Sequence, residues 1–197
     1  MGLTFTNTAA STAAVTNRYV TSVNMKVGAY TLANTTPAWS GAGQVTVTHT
    51  TVVTTDTLGT IVVVGTDLSG QTKTETLTPV ADSTVTGTVA FRTLTSVTGV
   101  GWVIAGSNDT LVVGVAAGNI ACGSYGTLGG VLVNNVVATA FSVADGSRTI
   151  LTVPASQAAG SYFPLNVDFS GPLKVLTTST NDVTVFHSGT APTTYAL

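Results

Sequence analysis

Charge is nearly missing from this sequence. Lysine, arginine, aspartate and glutamate make up 7% of its 197 residues, where ordinary soluble domains carry about 25%. The 6 cations stand singly and the net charge is −2, so no basic stripe follows a phosphate backbone and no nucleic-acid partner is expected. Dispersed charge keeps monomers apart in solution. Its shortage, beside a 44% hydrophobic content, points to a surface covered by neighbouring copies or partner proteins, and a homo-oligomer is expected. Cysteine is almost absent too. Cys122 stands alone, which excludes an internal disulfide framework.

Aromatic residues amount to 7%, too few for the girdles of a membrane barrel. The most apolar run, Leu111 to Ala117, stops at Gly118-Asn119, well short of the ~20 residues of a spanning helix. No membrane is expected despite a mean hydropathy of +0.45. Met1-Gly2-Leu3-Thr4 lacks the basic and apolar regions of a signal peptide, so folding in a reducing cytoplasm is the expectation. Gly2 and Thr6 match the bare myristoylation pattern, a short pattern that carries little weight.

What the chain does have is threonine, valine and glycine in alternation. Ile61 to Leu68 runs through Ser69-Gly70 into Gln71 to Thr78, two β-branched strands around a glycine-containing turn. Between Gln44 and Val115 this pattern predicts about six strands, the last two being Trp102-Val103-Ile104 and Leu111 to Val115 around a Ser107-Asn108-Asp109 turn. Gly118 to Gly130 lacks periodicity and reads as a connection. Strands resume at Val131 to Val133 and Val136 to Val143. Asp145-Gly146 then predicts a hairpin with a type I′ turn, followed by a strand from Arg148 to Val153. Further strands are expected at Tyr19–Val23, Val167–Phe169, Leu173–Leu176 and Asp182–His187.

No segment has a helical period. The expected fold is all-β, an antiparallel β-sandwich or barrel of jelly-roll type. The domain reading is an N-terminal arm or short helix over 1–17, a β-sandwich over 18–187 with two sheet-forming halves joined near 118–130, and a C-terminal tail over 188–197. Segments 61–78 and 136–153 look alike, which shared hairpin chemistry explains. No fixed-period repeat is present.

The acid–base inventory is thin. Glu75 is the only glutamate. It shares a strand face with Lys73, and an exposed charged face explains both. His49 and His187 lie on strands far apart in sequence, with no clustered carboxylate or thiol to make a metal motif. Cys122-Gly123-Ser124-Tyr125 lacks the second cysteine of the papain-type signature. Asp109 and Asp182 follow Asn108 and Asn181. They could serve calcium in a loop, but turn formation accounts for both. The expectation is no catalytic, cofactor-binding or metal residue.

The run Val64-Gly65-Thr66-Asp67 through Thr74-Glu75-Thr76-Leu77-Thr78, followed by Val85-Thr86-Gly87-Thr88 and Phe91-Arg92-Thr93-Leu94-Thr95-Ser96-Val97, resembles a pattern of tailed-bacteriophage structural proteins. Gly171-Pro172-Leu173-Lys174-Val175 and Asn181 to Val185 are similar to their C-terminal end. The close match covers about a third of the chain. The resemblance implies a virion component without catalysis, assembled in the host cytoplasm, whose partners are a major capsid protein or other virion proteins. A capsid decoration protein is the first expectation. A head–tail connector or tail component is the second, and a bacterial surface or ice-binding β-protein the third.

Overall fold

Among the described residues the alternation of β-branched residues is realised as 16 strands. The structure is a computed structural model describing residues 4–8 (backbone only), 11–39, 41–122, 125–146 and 148–188. It is all-β, antiparallel throughout, and no sheet closes into a barrel. The chain forms two compact units. One, here the inserted unit, comprises Ala14–Pro37 and Gly43–Ala116. The other, the host unit, comprises Met1–Ala13, Ala38–Ala42 and Ala117–Leu197.

In the inserted unit the strands are β2 (Val15–Asn24), β3 (Gly28–Ala29), β4 (Gly43–Thr50), β5 (Thr60–Thr66), β6 (Thr72–Leu77), β7 (Thr84–Phe91), β8 (Thr93–Val100) and β9 (Thr110–Val115). They form two four-stranded sheets in the orders β2-β9-β4-β7 and β3-β8-β5-β6. Numbered one to eight, these are the orders 1-8-3-6 and 2-7-4-5 of an eight-stranded jelly roll. Inward positions alternate in β5, where Ile61 and Val63 are buried, while β4 buries Thr46 as well as Val45 and Val47. The two sheets meet face to face: a Cβ on Gly65 of β5 would lie 2.8 Å from the ring of Phe91, which β7 contributes from the other sheet.

The host unit has β1 (Thr4–Thr8), β10 (Asn119–Cys122), β11 (Gly126–Val133), β12 (Phe141–Asp145), β13 (Arg148–Val153), β14 (Tyr162–Phe169), β15 (Leu173–Thr177) and β16 (Val183–His187). Its sheets run β1-β16-β11-β14 and β10-β15-β12-β13. The orders are again 1-8-3-6 and 2-7-4-5. Both sheets feed one core, with Leu128, Val131 and Val185 from the first and Phe141, Val143 and Val175 from the second. The same jelly roll therefore occurs twice, and one copy is spliced into the first interstrand connection of the other.

Several expectations change. Thr4–Thr8 is a strand paired with β16, and β2 already begins at Val15, so an arm or helix over 1–17 does not hold. The stretch 118–130 is not a plain connection, because β10 and most of β11 lie in it. Its glycines hid the strand pattern: Gly130 faces the Tyr162 side chain on β14 so closely that no Cβ would fit. Trp102 to Ile104 is a loop that makes one bridge, Thr57 to Val103, and 134–140 connects β11 to β12. The Gly2 pattern and the tail beyond Ser188 lie outside the described residues.

The Asp145-Gly146 hairpin exists with a shifted turn. Asp145 still pairs with Arg148, so Asp145 belongs to the strand and not to the turn. Gly146 takes φ +58°, while Asp145 keeps a negative φ. A Cβ at Gly146 would meet nothing within 4 Å, so only backbone strain opposes a side chain there. Gly146→Val is expected to cost about 1–2 kcal/mol, read as a lower midpoint in urea with an unchanged slope.

Candidate functional site

Antiparallel pairing places the connections β2–β3, β4–β5, β6–β7 and β8–β9 at one end of the inserted unit. Asn24 and Thr50 both lie opposite Thr110 and Thr84 lies opposite Thr48 along one sheet, and Gly28, Thr60 and Leu77 lie near Val100 along the other. Three aspartates tie the β4–β5, β6–β7 and β8–β9 loops together. Asp109, at the entry to β9, accepts the Val52 and Val53 N–H groups on Oδ1 (2.7 and 3.0 Å). Asp56 answers from the β4–β5 loop, accepting Ala105 N–H on Oδ1 (2.7 Å) and Asp109 N–H on Oδ2 (3.3 Å). Asp82, in the β6–β7 loop, accepts Thr51 N–H (2.7 Å). It does so from φ +49°, a conformation that aspartate tolerates better than most residues.

His49 completes the cluster. Its Nε2 lies 3.2 Å from Asp109 Oδ2, and both side chains are about 2% exposed or less. Burial pushes the Asp109 carboxyl up, but the Val53 and Val52 N–H groups and the adjacent His49 outweigh it and hold the group below the usual carboxylate range. Beside the pair is a cavity of about 170 Å³, lined in part by His49, Thr51, Asp56, Asp82 and Asp109.

A histidine–aspartate pair at a cavity raises the question of catalysis. A nucleophilic triad needs a hydroxyl on the imidazole nitrogen that the carboxylate leaves open. Among the described residues His49 Nδ1 has no hydrogen-bond partner. Nor is any group of three or more His, Cys, Asp or Glu among the described residues arranged to hold a metal ion. Each of the three aspartates is bonded to backbone N–H groups of a neighbouring loop. These contacts clamp the loops to one another.

The host unit has a related device at the equivalent place, with the asparagine rather than the aspartate taking the loop N–H group. Asn181 precedes β16 as Asn108 precedes β9. It is 1% exposed, accepts Ala138 N–H on Oδ1 (3.0 Å) and donates to Thr139 O (2.8 Å) and Thr177 Oγ1 (2.7 Å). Asp182 accepts from the Asn134 side chain (2.8 Å). The two Asn-Asp pairs that sequence reading set side by side thus occupy equivalent positions in two jelly rolls. So do segments 61–78 and 136–153, which supply the fourth and fifth strands of each.

The other sequence candidates are scattered. Glu75 does not pair with Lys73, whose Nζ lies 3.6 Å from Asp67 Oδ2. Instead its Oε1 accepts Thr88 N–H (2.6 Å), Thr88 Oγ1–H (3.0 Å) and Val89 N–H (3.2 Å), linking β6 to β7 across the two sheets. Cys122 is 3% exposed and belongs to the host core, where a thiol is inert. His187 is buried in β16 of the host unit, whereas His49 belongs to the inserted unit. Sequence reading missed Asp56 and Asp82. Their signal was present in Thr54-Thr55-Asp56 and Ala81-Asp82-Ser83, polar clusters between strands, but it says only that a turn is there.

Burial holds His187 below its ordinary value of 6.5. The unfolded chain then binds the proton more readily than the folded one, so stability falls as the pH drops below about 6.5. His187→Leu is expected to flatten that limb in urea unfolding curves recorded from pH 7 to pH 5.

Comparison of the chain with protein-family models, with curated proteins and with solved structures finds no match.

Proposed function

We propose that this chain is a non-enzymatic structural component of a tailed-phage virion, a decoration or cement protein that stabilises the head through protein–protein contacts. The observation that carries the reading is the jelly roll occurring twice in one chain. Jelly rolls build many viral capsid domains, though also lectins and cupins, so fold alone does not assign function. Three further features favour assembly over the other jelly-roll trades. The surface is poor in charge, the polar cluster of the inserted unit holds loops together, and the Gly65 to Val97 run resembles phage structural proteins. Bridging neighbouring capsid subunits would add contact area that resists the pressure of packaged DNA.

Copy number in purified particles tests the proposal. Quantitative mass spectrometry should find on the order of hundreds of copies per head for a decoration protein, while about six or twelve would place it at the head–tail junction or in the tail, as closed ring symmetry dictates. Absence from particles would sink both. Replacing Glu75, His49, His187 and Cys122 singly with inert residues should leave assembly intact apart from stability losses, largest at His49, whose removal leaves the buried Asp109 without its imidazole partner. Lost infectivity in particles of normal composition and stability would contradict a purely structural role.

A further inference from the structure

The clamped end of the inserted unit is also its most apolar surface. Val27 lies in the β2–β3 loop, Val52 in β4–β5, Val80 in β6–β7, Val100 at the end of β8, and Val103 and Ile104 in β8–β9. Each is between 46% and 61% exposed. These are six of the nine large apolar side chains that stand out among the described residues, and all six sit at one end of one jelly roll. Isolated surface valines need no explanation, but a cluster does.

The β4–β5, β6–β7 and β8–β9 loops are held by backbone hydrogen bonds to the Asp56, Asp82 and Asp109 carboxylates, Met25 N–H beside the β2–β3 loop donates to the Asp109 carbonyl oxygen (2.7 Å), and Val53 packs 3.4 Å from where a Cβ of Gly106 would lie. A face fixed in advance loses little conformational entropy on binding. Asp109 is buried and Asp56 half-buried, both engaged by backbone N–H groups, which leaves two exposed charges of opposite sign. Lys26 in the β2–β3 loop and Asp82 in the β6–β7 loop are both exposed, and among the described residues neither forms an ion pair. Lys26 Nζ rests 5.7 Å from the Tyr30 ring centroid. One exposed cation and one exposed anion beside an apolar centre match no strongly charged partner. They do match a copy of the same surface turned through two-fold symmetry, where each residue meets the other's counterpart.

We propose that this loop end is a self-association face, docking on the same end of a second copy, with Val103 and Ile104 at its centre and Lys26 of one copy beside Asp82 of the other. The proposal does not depend on which particle the protein belongs to. The patch is small for a permanent interface, so a reversible dimer is expected.

Sedimentation velocity of the purified full chain over a wide concentration range tests it. The wild type should show a concentration-dependent monomer–dimer equilibrium. The double substitution Val103→Asp and Ile104→Asp should weaken the dimer at least tenfold, and Lys26→Glu by a smaller factor. Asp82→Asn keeps the acceptor for Thr51 N–H and tolerates the positive φ, and it should weaken the dimer without loosening the loops. Zero-length carbodiimide coupling gives a second readout, since it should join Lys26 to Asp82 between copies and lose that product in the double variant. Circular dichroism checks that each variant is folded. A wild type that stays monomeric overturns the proposal, as does a dimer indifferent to all three changes. Variants that sediment as the wild type yet fail to join particles would assign the face to another virion protein and overturn it equally.

Discussion

Replacing Asp109 by alanine is expected to destabilise the inserted unit by about 3–5 kcal/mol. The change removes the acceptor for Val52 and Val53 N–H and leaves His49, 2% exposed, without its partner. Against a typical total of about 5–15 kcal/mol, that is enough to open the β4–β5 and β8–β9 loops in a measurable fraction of molecules. Urea denaturation gives the size of the loss, and hydrogen exchange gives its place: protection should vanish first at Val52, Val53 and Ala105. Asp109→Asn should cost less, because an amide oxygen still accepts the backbone groups. It should also alter the acid limb. The folded carboxyl titrates below its ordinary value of 3.8, so its stabilisation is complete above about pH 3.8 and is lost as the pH falls through the folded value. The asparagine variant lacks that limb. If the alanine variant unfolds like the wild type, water supports the loops and the clamp is idle.

The second large effect is expected at Gly65. A Cβ there would overlap the Thr93 carbonyl oxygen and approach Phe91 Cδ1 to 2.8 Å, at a place where β5 slips register against β8. Gly65→Val should cost about 3 kcal/mol or more, as overpacking with no free volume does. Shrinking Phe91 tells which contact dominates. If the ring were the obstacle, Phe91→Leu would restore stability in the double variant. Because the nearer atom is backbone, the double variant should instead be no more stable than Gly65→Val alone, with thermal unfolding as the measurement. Rescue by leucine would show that β8 moves aside and that the sheets are less tightly packed than described.

Both positions show how far sequence carries. The all-β class was legible because alternation in β5, β6 and β9 is driven by burial of one face, and a period of two is visible in any β-branched strand. Strands built on glycine were not legible. In β11 the run Gly126-Thr127-Leu128-Gly129-Gly130 has no apolar rhythm, since close approach of neighbouring strands replaces side-chain packing. Trp102-Val103-Ile104 misled in the opposite way, because apolar content reads as strand whether it faces a core or solvent. The clamp was half visible. Asp109 and Asp182 stood out by their Asn-Asp pairs, and a turn role explained them. That Asp109 would meet His49, sixty positions earlier, follows only from β4 pairing with β9. The double jelly roll was hidden because the repeat is one of strand order and not of spacing.

The insertion also sets a timetable. β1 has one partner, β16, with Thr4 opposite His187 and Thr8 opposite Val183. A ribosome adding ~5–20 residues per second therefore leaves β1 without its neighbour for roughly 10–40 s. Within that interval Ala14 to Ala116 emerges with every strand of its own two sheets and can close before the flanking roll has its last strand. The host roll must hold a loose first strand through the whole synthesis of its guest. The β1–β16 pairing has the widest sequence separation of the described strand pairs, and contacts of wide separation are the slow ones to form.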